Sequence, residues 1–518
     1  MTSPTTVREA AFAVFRHFGV DALFGNPGST ELPMLRAMPD DIRYVLGLNE
    51  AVVVAMADGY AQATRRPALV NLHSAAGTGN ALGNLYTSYR NGTPLVITAG
   101  QQARSIFPFD PFLGAERAIE FPRPYVKWAA EPLRAEDVPL ALARAFHIAL
   151  TPPMGPCFVS IPVDDWDREC MMPELPLLGL RTLADPAGID RLAAMLNAAE
   201  RPALVLGTGV ARCGGWNAAI ALAERSGTTV WAAPFAARET FPEDHPQFAG
   251  FLPAFREEIV RLLSPHDALL VAGAPVFTYH AEGSGPHWPE GATLGLLSED
   301  PQHLAALPGG IGVLGDVAAG LSALAGQVCS CPATAPARRA DSPTPAMSAA
   351  YVLSRIATLR PANAVIVEEA PTARGPMHDH LSIMSEGGFY TTASGGLGYG
   401  LPAAIGVARA DPARKVIALL GDGSAMYTIQ GLWSAAEQGA NVSFVILNNR
   451  RYAALDHFAK VFGMNAVPGC DIGGIDFVAL AQGLGVEARR VERAVDIDDA
   501  LNWSLAPGHP NLLEFAID

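Results

Sequence analysis

The residues best placed to do chemistry in this chain lie at Gly421-Asp422-Gly423 and Asn448-Asn449. The apolar run Val416-Ile-Ala-Leu-Leu420 ends at the first group, and Val442-Ser-Phe-Val-Ile-Leu447 ends at the second. Such runs read as buried parallel strands, with a helix expected between them from about Ala425 to Gln438. One βαβ unit then sets Asp422 and Asn449, 27 positions apart, at the carboxyl ends of neighbouring strands. That edge is where doubly wound sheets bind ligands. A carboxylate and a carboxamide are hard oxygen donors suited to Mg2+, which shares its shell with phosphate oxygens. The flanking glycines allow close backbone approach, the helix start favours a diphosphate, and Ser424 adds a hydroxyl donor. Gly-Asp-Gly alone would also suit a plain helix cap. The Asn pair at the next strand end is what argues for a site.

Other candidates depend on the elements that carry them. Residues 49 to 64 read as a helix apolar almost all round, hence internal, and Glu50 opens it. A buried carboxylate is costly unless paired or protonated, whereas an exposed one at this position would only serve the helix dipole. Ser29 lies in the turn Gly25-Asn-Pro-Gly-Ser-Thr, where a serine commonly caps a helix. His73 follows the strand Ala68 to Leu72, and His280 ends Val276-Phe-Thr-Tyr-His. Two Gly-rich turns stand out. Ala393-Ser-Gly-Gly-Leu-Gly-Tyr-Gly leads into a helix. Leu206-Gly-Thr-Gly lacks an acidic residue at the next strand end, which argues against a dinucleotide site.

Composition bounds the whole. The 518 residues suit two to four domains, and 50% hydrophobic against 17% charged residues excludes a disordered chain. A net charge of 36 − 51 = −15 without a basic run is a poor match for nucleic acid. No apolar run approaches the ~20 residues of a membrane span, and no secretory signal is evident. A cytoplasmic protein with no membrane partner is the expectation. Six scattered cysteines suit reduced thiols rather than a disulfide framework or zinc site. Short apolar runs alternate with helical patterns in three segments: 1–180, 181–331 and 349–518. A Pro-, Ala- and Ser-rich linker, 332–348, precedes the last. Three consecutive doubly wound parallel-sheet α/β domains are expected.

The Gly-Asp-Gly to Asn-Asn pattern resembles the signature of the thiamine diphosphate enzymes. Within them the chain is similar to the benzoylformate decarboxylase family over nearly its whole length. FGNPGSTELP (24–33), NLHSAAGTGNALGNL (71–85), AGQQAR (99–104), PRPYVKW (122–128), GAPVFTYH (273–280) and VPGCDIGGIDF (467–477) carry that resemblance. It implies pyrimidine-binding, central and diphosphate-binding domains, in that order. Thiamine diphosphate and Mg2+ would be the cofactors, with the metal on Asp422, Asn449 and the backbone carbonyl at Arg451. Gly421, Gly423, Ser424 and Tyr452 would surround the cofactor, Glu50 would act on its aminopyrimidine ring, and Leu397 would support its bent shape.

The same resemblance assigns Ser29 to the substrate carboxylate and Phe112, Leu113, Leu455 and Phe458 to the pocket walls. His73 would mainly protonate the ketone oxygen, and His280 would mainly serve carbon protonation and aldehyde release, since imidazoles near neutrality can do both. The implied reaction is non-oxidative decarboxylation of an aromatic or bulky 2-oxo acid. An acetolactate-synthase-like carboligase is the alternative, with a cofactor-free homologue acting as a binding protein behind it. Glu50 and Asp422 should meet across a subunit interface in a homotetramer. Departures from the pattern are Glu369-Ala-Pro-Thr-Ala-Arg374, Arg450-Arg451 and Asp456-His457. Either an arginine there accepts a second anionic group of the substrate, or it is an ordinary surface or interface arginine.

Overall fold

The computed structural model describes residues 4–333 and 341–518. The first sheet contains β2 (Ala22–Gly25), β3 (Arg43–Leu46), β4 (Ala68–Leu72), β5 (Leu95–Gln101), β6 (Trp128–Ala130) and β7 (Cys157–Pro162). Before and after these run β1 (Pro4–Thr6) and β8 (Glu169–Met171). The sheet order is β3-β2-β4-β5-β7-β6, all parallel. An antiparallel pair of β1 with β8 ties the start of this segment to its end.

The central sheet comprises β9 (Pro202–Leu206), β10 (Thr229–Ala232), β11 (Phe248–Phe251), β12 (Ala268–Ala272), β13 (Thr293–Ser298) and β14 (Ile311–Leu314). Its order is β11-β10-β9-β12-β13-β14. The last sheet comprises β15 (Val365–Glu369), β16 (Phe389–Thr391), β17 (Val416–Gly421), β18 (Val442–Asn448), β19 (Glu487–Val491) and β20 (Asn511–Ala516), in the order β16-β15-β17-β18-β20-β19. Helices cover both faces of each sheet, so β4 and β12 are buried at every residue, and β12 reads as an unbroken apolar run while β4 is interrupted only by Asn71.

Each sheet reverses its strand order near its middle, between β2 and β4, β9 and β12, and β15 and β17, and the outer two also invert their last pair, β7-β6 and β20-β19. The crevice outside the strand ends at such a reversal is the natural ligand position. In the central sheet this crevice is closed by the chain itself. A Cβ on Gly207 would lie 2.4 Å from Ala274 Cβ, and one on Gly209 would lie 2.6 Å from Gly273 Cα. The Leu206-Gly-Thr-Gly turn therefore serves close packing, and Thr208 Oγ1 accepts the Ala237 N–H.

The outer two sheets are joined by one helix crossing. The Glu50–Thr64 helix is buried from Val52 to Ala61, as its apolar sequence requires, and packs on the Gly400–Ala410 helix. Glycines permit the approach: a Cβ on Gly406 would sit 1.9 Å from the Met56 carbonyl oxygen, and one on Gly59 2.2 Å from that of Ala403. Asp58, fully buried at the crossing, accepts hydrogen bonds from Tyr399 Oη (2.8 Å), Gln62 (2.6 Å) and Asn91 (3.2 Å). Burial and the Asp58 carboxylate push the Tyr399 hydroxyl well above its ordinary range. Arg238 of the central segment stacks on Tyr390 (4.1 Å) and donates to Gln62 (3.3 Å), so all three segments meet here.

One expectation needs correction. The single helix between β17 and β18 is two, Asp422–Met426 and Gly431–Gln438, because the chain turns at 427–430 and restarts where Gly431 fits against Leu401. Of the 332–348 linker, residues 334–340 lie outside the described residues, and 341–348 are irregular up to the Ser348 cap of the Ala349–Leu359 helix. Among the described residues no helix is long and apolar enough to cross a membrane.

The crossing makes Gly406 sensitive to a single methyl. Gly406→Ala is expected to lose about 2–3 kcal/mol, the range for overpacking a tight interior. Gly326→Ala, whose Cβ meets nothing within 4 Å, should lose nothing. Thermal denaturation of both variants checks this.

Candidate active site

The reversal between β15 and β17 opens into a cavity of about 710 Å³. Ala370–Ala373 line it after β15, Gly421–Ser424 after β17, and Asn449, Arg451 and Tyr452 after β18. Gly395 and Leu397 come from the Gly-rich loop, Leu455 and Phe458 from the Ala454–Val461 helix, and His280 from the central segment. The His280 ring lies 4.2 Å from that of Phe458 and 5.7 Å from that of Phe235.

Asp422 is the unusual group. Its Oδ1 accepts the Gly423 N–H at 2.7 Å, but its Oδ2 is buried with no hydrogen-bond partner. Burial raises its pKa, opposed by the N–H groups of Gly423, Arg450 and Arg451. An uncompensated buried carboxylate oxygen is costly, and a cation would supply the missing partner. Among the described residues no cluster of three or more His, Cys, Asp or Glu side chains could hold a metal. A cation here would depend on one carboxylate, a carboxamide and backbone oxygen, a sparse set that Mg2+ accepts when phosphates complete its shell. The residues present therefore fit a metal-bound diphosphate.

The two asparagines divide their work. Asn448 is buried in hydrogen bonds to Glu514 (2.7 Å) and from the Arg450 N–H (3.0 Å), while Asn449 lines the cavity. Tyr452 lies over Gly423, where a Cβ would be 2.2 Å from its ring. The Arg451 guanidinium is committed to Asp456 at 2.9 Å. Arg374, one candidate for a second substrate anion, is instead paired with buried Glu368 at 2.7 Å and bonded to Thr391 at 2.9 Å. Its role is structural.

Glu369, the last residue of β15, was quoted in the sequence reading without a role. Its buried carboxyl accepts the N–H groups of Gly398 (2.6 Å), Tyr399 (3.2 Å) and Gly400 (2.8 Å), fastening the loop that carries Leu397. Asn84 holds the same loop from the other side, donating to both Gly398 C=O (3.0 Å) and Ala51 C=O (2.9 Å).

A second constellation sits at the reversal between β2 and β4. Glu50 is 6% exposed, and its two oxygens accept from Asn26 (3.3 Å) and Asn80 (3.0 Å). His73 Nδ1 lies 2.9 Å from Glu31 Oε2 and 3.1 Å from Thr30 Oγ1. Glu31 is itself buried and held by the N–H groups of Gly28 (2.8 Å) and Gly100 (3.1 Å). The carboxylate fixes the tautomer with hydrogen on Nδ1 and leaves Nε2 for proton exchange. A Cβ on Gly28 would lie 2.1 Å from that Nδ1, so only glycine fits beneath the ring. Ser29 opens the short turn beside it. Phe112 and Leu113 lie on the turn after β5, with Phe112 85% exposed in the single chain.

Sequence reasoning missed Glu31, whose signal was an acidic residue three positions after Gly28 in a capping-box spacing. It also missed Asn26 and Asn80. None of Ser29, Glu50, His73, Phe112 or Leu113 lines the cavity at Asp422. In one chain the candidate residues form two separate constellations.

Known proteins match all three segments of the chain. Residues 5–112, 189–324 and 373–515 match the N-terminal TPP binding, central and C-terminal TPP binding domains of the thiamine pyrophosphate enzymes. The chain belongs to this thiamine pyrophosphate enzyme family. It is 42% identical to benzoylformate decarboxylase of Pseudomonas aeruginosa over 98% of each chain. The solved 4-hydroxybenzoylformate decarboxylase of Rhodococcus jostii RHA1 superposes with a TM-score of 0.96 at 40% identity, over 99% of each chain. Benzoylformate decarboxylase from Polynucleobacter necessarius gives 0.95 at 38%, over 99% of this chain and 98% of that one.

Burial pushes the Glu369 carboxyl from its ordinary 4.5 up to about 8 against the pull of its three N–H donors. A raised folded-state pKa means that its contribution to stability is complete below about 4.5 and lost as pH rises through about 8. Relative to Glu369→Gln, the parent protein is therefore expected to lose melting temperature between pH 5 and pH 9. Paired thermal melts across that window measure it, and a constant difference would contradict it.

Proposed function

We propose that this protein is a thiamine diphosphate- and Mg2+-dependent carboxy-lyase that converts an aromatic or bulky 2-oxo acid to the aldehyde and CO2. One observation carries the reading: the unpartnered Asp422 oxygen and Asn449 share a cavity with Leu455, Phe458 and His280. A cation and diphosphate site thus adjoins apolar walls and an imidazole, the combination an aryl 2-oxo acid requires. The names of the similar decarboxylases support the same substrate class.

When bound, thiamine diphosphate supplies the nucleophilic carbon and the electron sink that decarboxylation of a 2-oxo acid needs. Asp422, Asn449 and the Arg451 carbonyl would hold Mg2+, with Gly421, Gly423, Ser424 and Tyr452 around the diphosphate and Leu397 beneath the ring system. Glu50 would hold a proton at its carboxyl against the aminopyrimidine, its orientation set by Asn26 and Asn80. Ser29 would bind the substrate carboxylate through its hydroxyl. His73, braced by Glu31, would deliver a proton from Nε2 to the ketone oxygen. His280 would supply the proton that reaches the former carbonyl carbon as the aldehyde forms. Phe112, Leu113, Leu455 and Phe458 would exclude water and receive the aryl group.

Asp422→Asn is expected to weaken thiamine diphosphate binding by at least about 100-fold, because losing a ligand should cost no less than the upper end for disturbing its outer-shell partners. Chelating Mg2+ should do the same to the parent protein in calorimetry. The loaded enzyme should release CO2 and benzaldehyde from benzoylformate faster than it turns over pyruvate. Silence on every arylglyoxylate, despite cofactor binding, would relocate the error to the pocket.

The two constellations also support a site completed by a second chain, with Glu50, Ser29 and His73 of one subunit serving the Asp422 cavity of another, in a homotetramer of two dimers. Exposed Phe109, Phe112, Leu133, Tyr427 and Phe462 are the large apolar side chains such a contact would cover. A cytoplasmic location agrees with six free cysteines. Dilution monitored by light scattering should abolish activity in step with the loss of dimer. An active monomer would overturn this.

A further inference from the structure

The turn that carries Phe112 and Leu113 is held open by side chains from outside it. Gly114 N–H donates to Pro111 C=O at 2.9 Å, closing a turn in which Leu113 has φ 65°. A leucine rarely adopts this left-handed setting, and it persists where the surroundings enforce it. Three side chains do so. Ser74 Oγ donates to Leu113 C=O at 2.6 Å, and Gln102 Nε2 donates to Phe112 C=O at 2.7 Å. The Gln101 carboxamide grips Ala115 at both its C=O (2.8 Å) and its N–H (3.0 Å). Gln101 ends β5 and Gln102 follows it, but Ser74 comes from another strand end and directly follows His73.

Ser74 is 4% exposed and has φ 50°, so it too occupies a setting unusual for a residue with a side chain. Its hydroxyl leaves its own helix and reaches 39 positions along the chain to the turn. Behind the turn lies a second cavity of about 350 Å³, walled by Ser74, Thr78, Gly100, Gly114, Phe121 and Phe158. Gly100 also donates its N–H to Glu31, the brace of His73. The empty space thus adjoins both the end of the turn, at Gly114, and the residues around His73, and the Ser74 bond ties the turn to that side.

We propose that Ser74 is a positioning residue that sets aryl selectivity. It ties the Phe112–Leu113 wall to the backbone adjoining His73 and keeps the 350 Å³ space out of reach of the substrate. This rests on the reading of Phe112 and Leu113 as pocket walls. With the hydroxyl in place a single ring is gripped. Without it the turn retreats into the space behind, loosening the fit of one ring and admitting two.

The test uses the loaded holoenzyme, with Ser74→Ala and with Ser74→Gly, which accepts φ 50° without a side chain and guards against a folding failure of the first. Benzoylformate, 2-naphthylglyoxylate and pyruvate are compared. Both variants are expected to raise KM for benzoylformate about 10-fold with kcat nearly retained, the scale of losing part of an apolar fit. The kcat/KM ratio of naphthyl to phenyl substrate should rise about 10-fold, while pyruvate, whose methyl group does not reach the turn, keeps its kinetics. Amide hydrogen exchange in residues 110–116 should quicken in both variants. An unchanged naphthyl-to-phenyl ratio overturns the proposal, as does an equal loss of kcat on all three substrates, which would mean that Ser74 acts through His73. If the parent enzyme turns over no arylglyoxylate, the pocket reading fails separately. Exchange then decides the clamp alone: unaltered protection refutes it and faster exchange supports it.

Discussion

The close crossing of the Glu50–Thr64 and Gly400–Ala410 helices is the constraint on which the candidate site depends. Backbone meets backbone there, because Gly59 and Gly406 leave no side chain between the helices. Such contact transmits position with little give, since interiors packed this tightly have few alternative arrangements. Glu50 opens one helix, and the loop carrying Leu397 leads into the other. Asn84 links the two starts through the carbonyls of Ala51 and Gly398. Glu50 and Leu397 are thus located by the same joint, and the buried Asp58–Tyr399 hydrogen bond resists sliding along it.

The three sheets show what makes a strand-order reversal into a site. All three offer the crevice, yet only the outer two carry candidate residues at their strand ends. In the last sheet a buried carboxylate oxygen is left without a partner, which a protein tolerates where something else completes it. In the first, Glu31 and Glu50 are each satisfied by neutral donors and aimed by them. In the central sheet the glycines that could have cradled a phosphate are pressed against Gly273 and Ala274. Gly-rich turns look alike in sequence, and the difference lies in what occupies the space above them.

Much of the fold was legible because buried parallel strands are written as unbroken apolar runs. Ala68–Leu72 was read with its observed bounds, and runs such as Val416–Leu420 and Val442–Leu447 fell one residue short. The Glu50 helix was legible for the same reason, being apolar on every face. Illegible were features that depend on partners distant in sequence. Glu31 finds His73 42 positions away, and Ser74 finds Leu113 39 away. Arg374 could not be told from a substrate group in sequence because Glu368, its buried partner, stands near the end of an apolar run as one more polar residue. The helix between Asp422 and Gln438 was read as one because no proline marks the turn at 427–430.

The arginines narrow the substrate further than the motifs do. Recruiting Arg374 to a second carboxylate would strand Glu368, which is wholly buried, and breaking one partner from such a pair costs more than the pair is worth. Arg451 is less constrained, because Asp456 and Asp471 are exposed, but its guanidinium already faces two carboxylates and has little positive field to spare. Arg450 lies outside these pairs, exposed and with φ 61°, but it is not among the residues that line the cavity. On the proposed reading, the group beyond the 2-oxo acid would meet Leu455 and Phe458, which are apolar. Apolar walls discriminate by shape, at the scale of a methylene rather than a charge. Selectivity among aromatic 2-oxo acids must then come from how firmly those walls are held, which returns the question to the backbone settings of the loops that bear them.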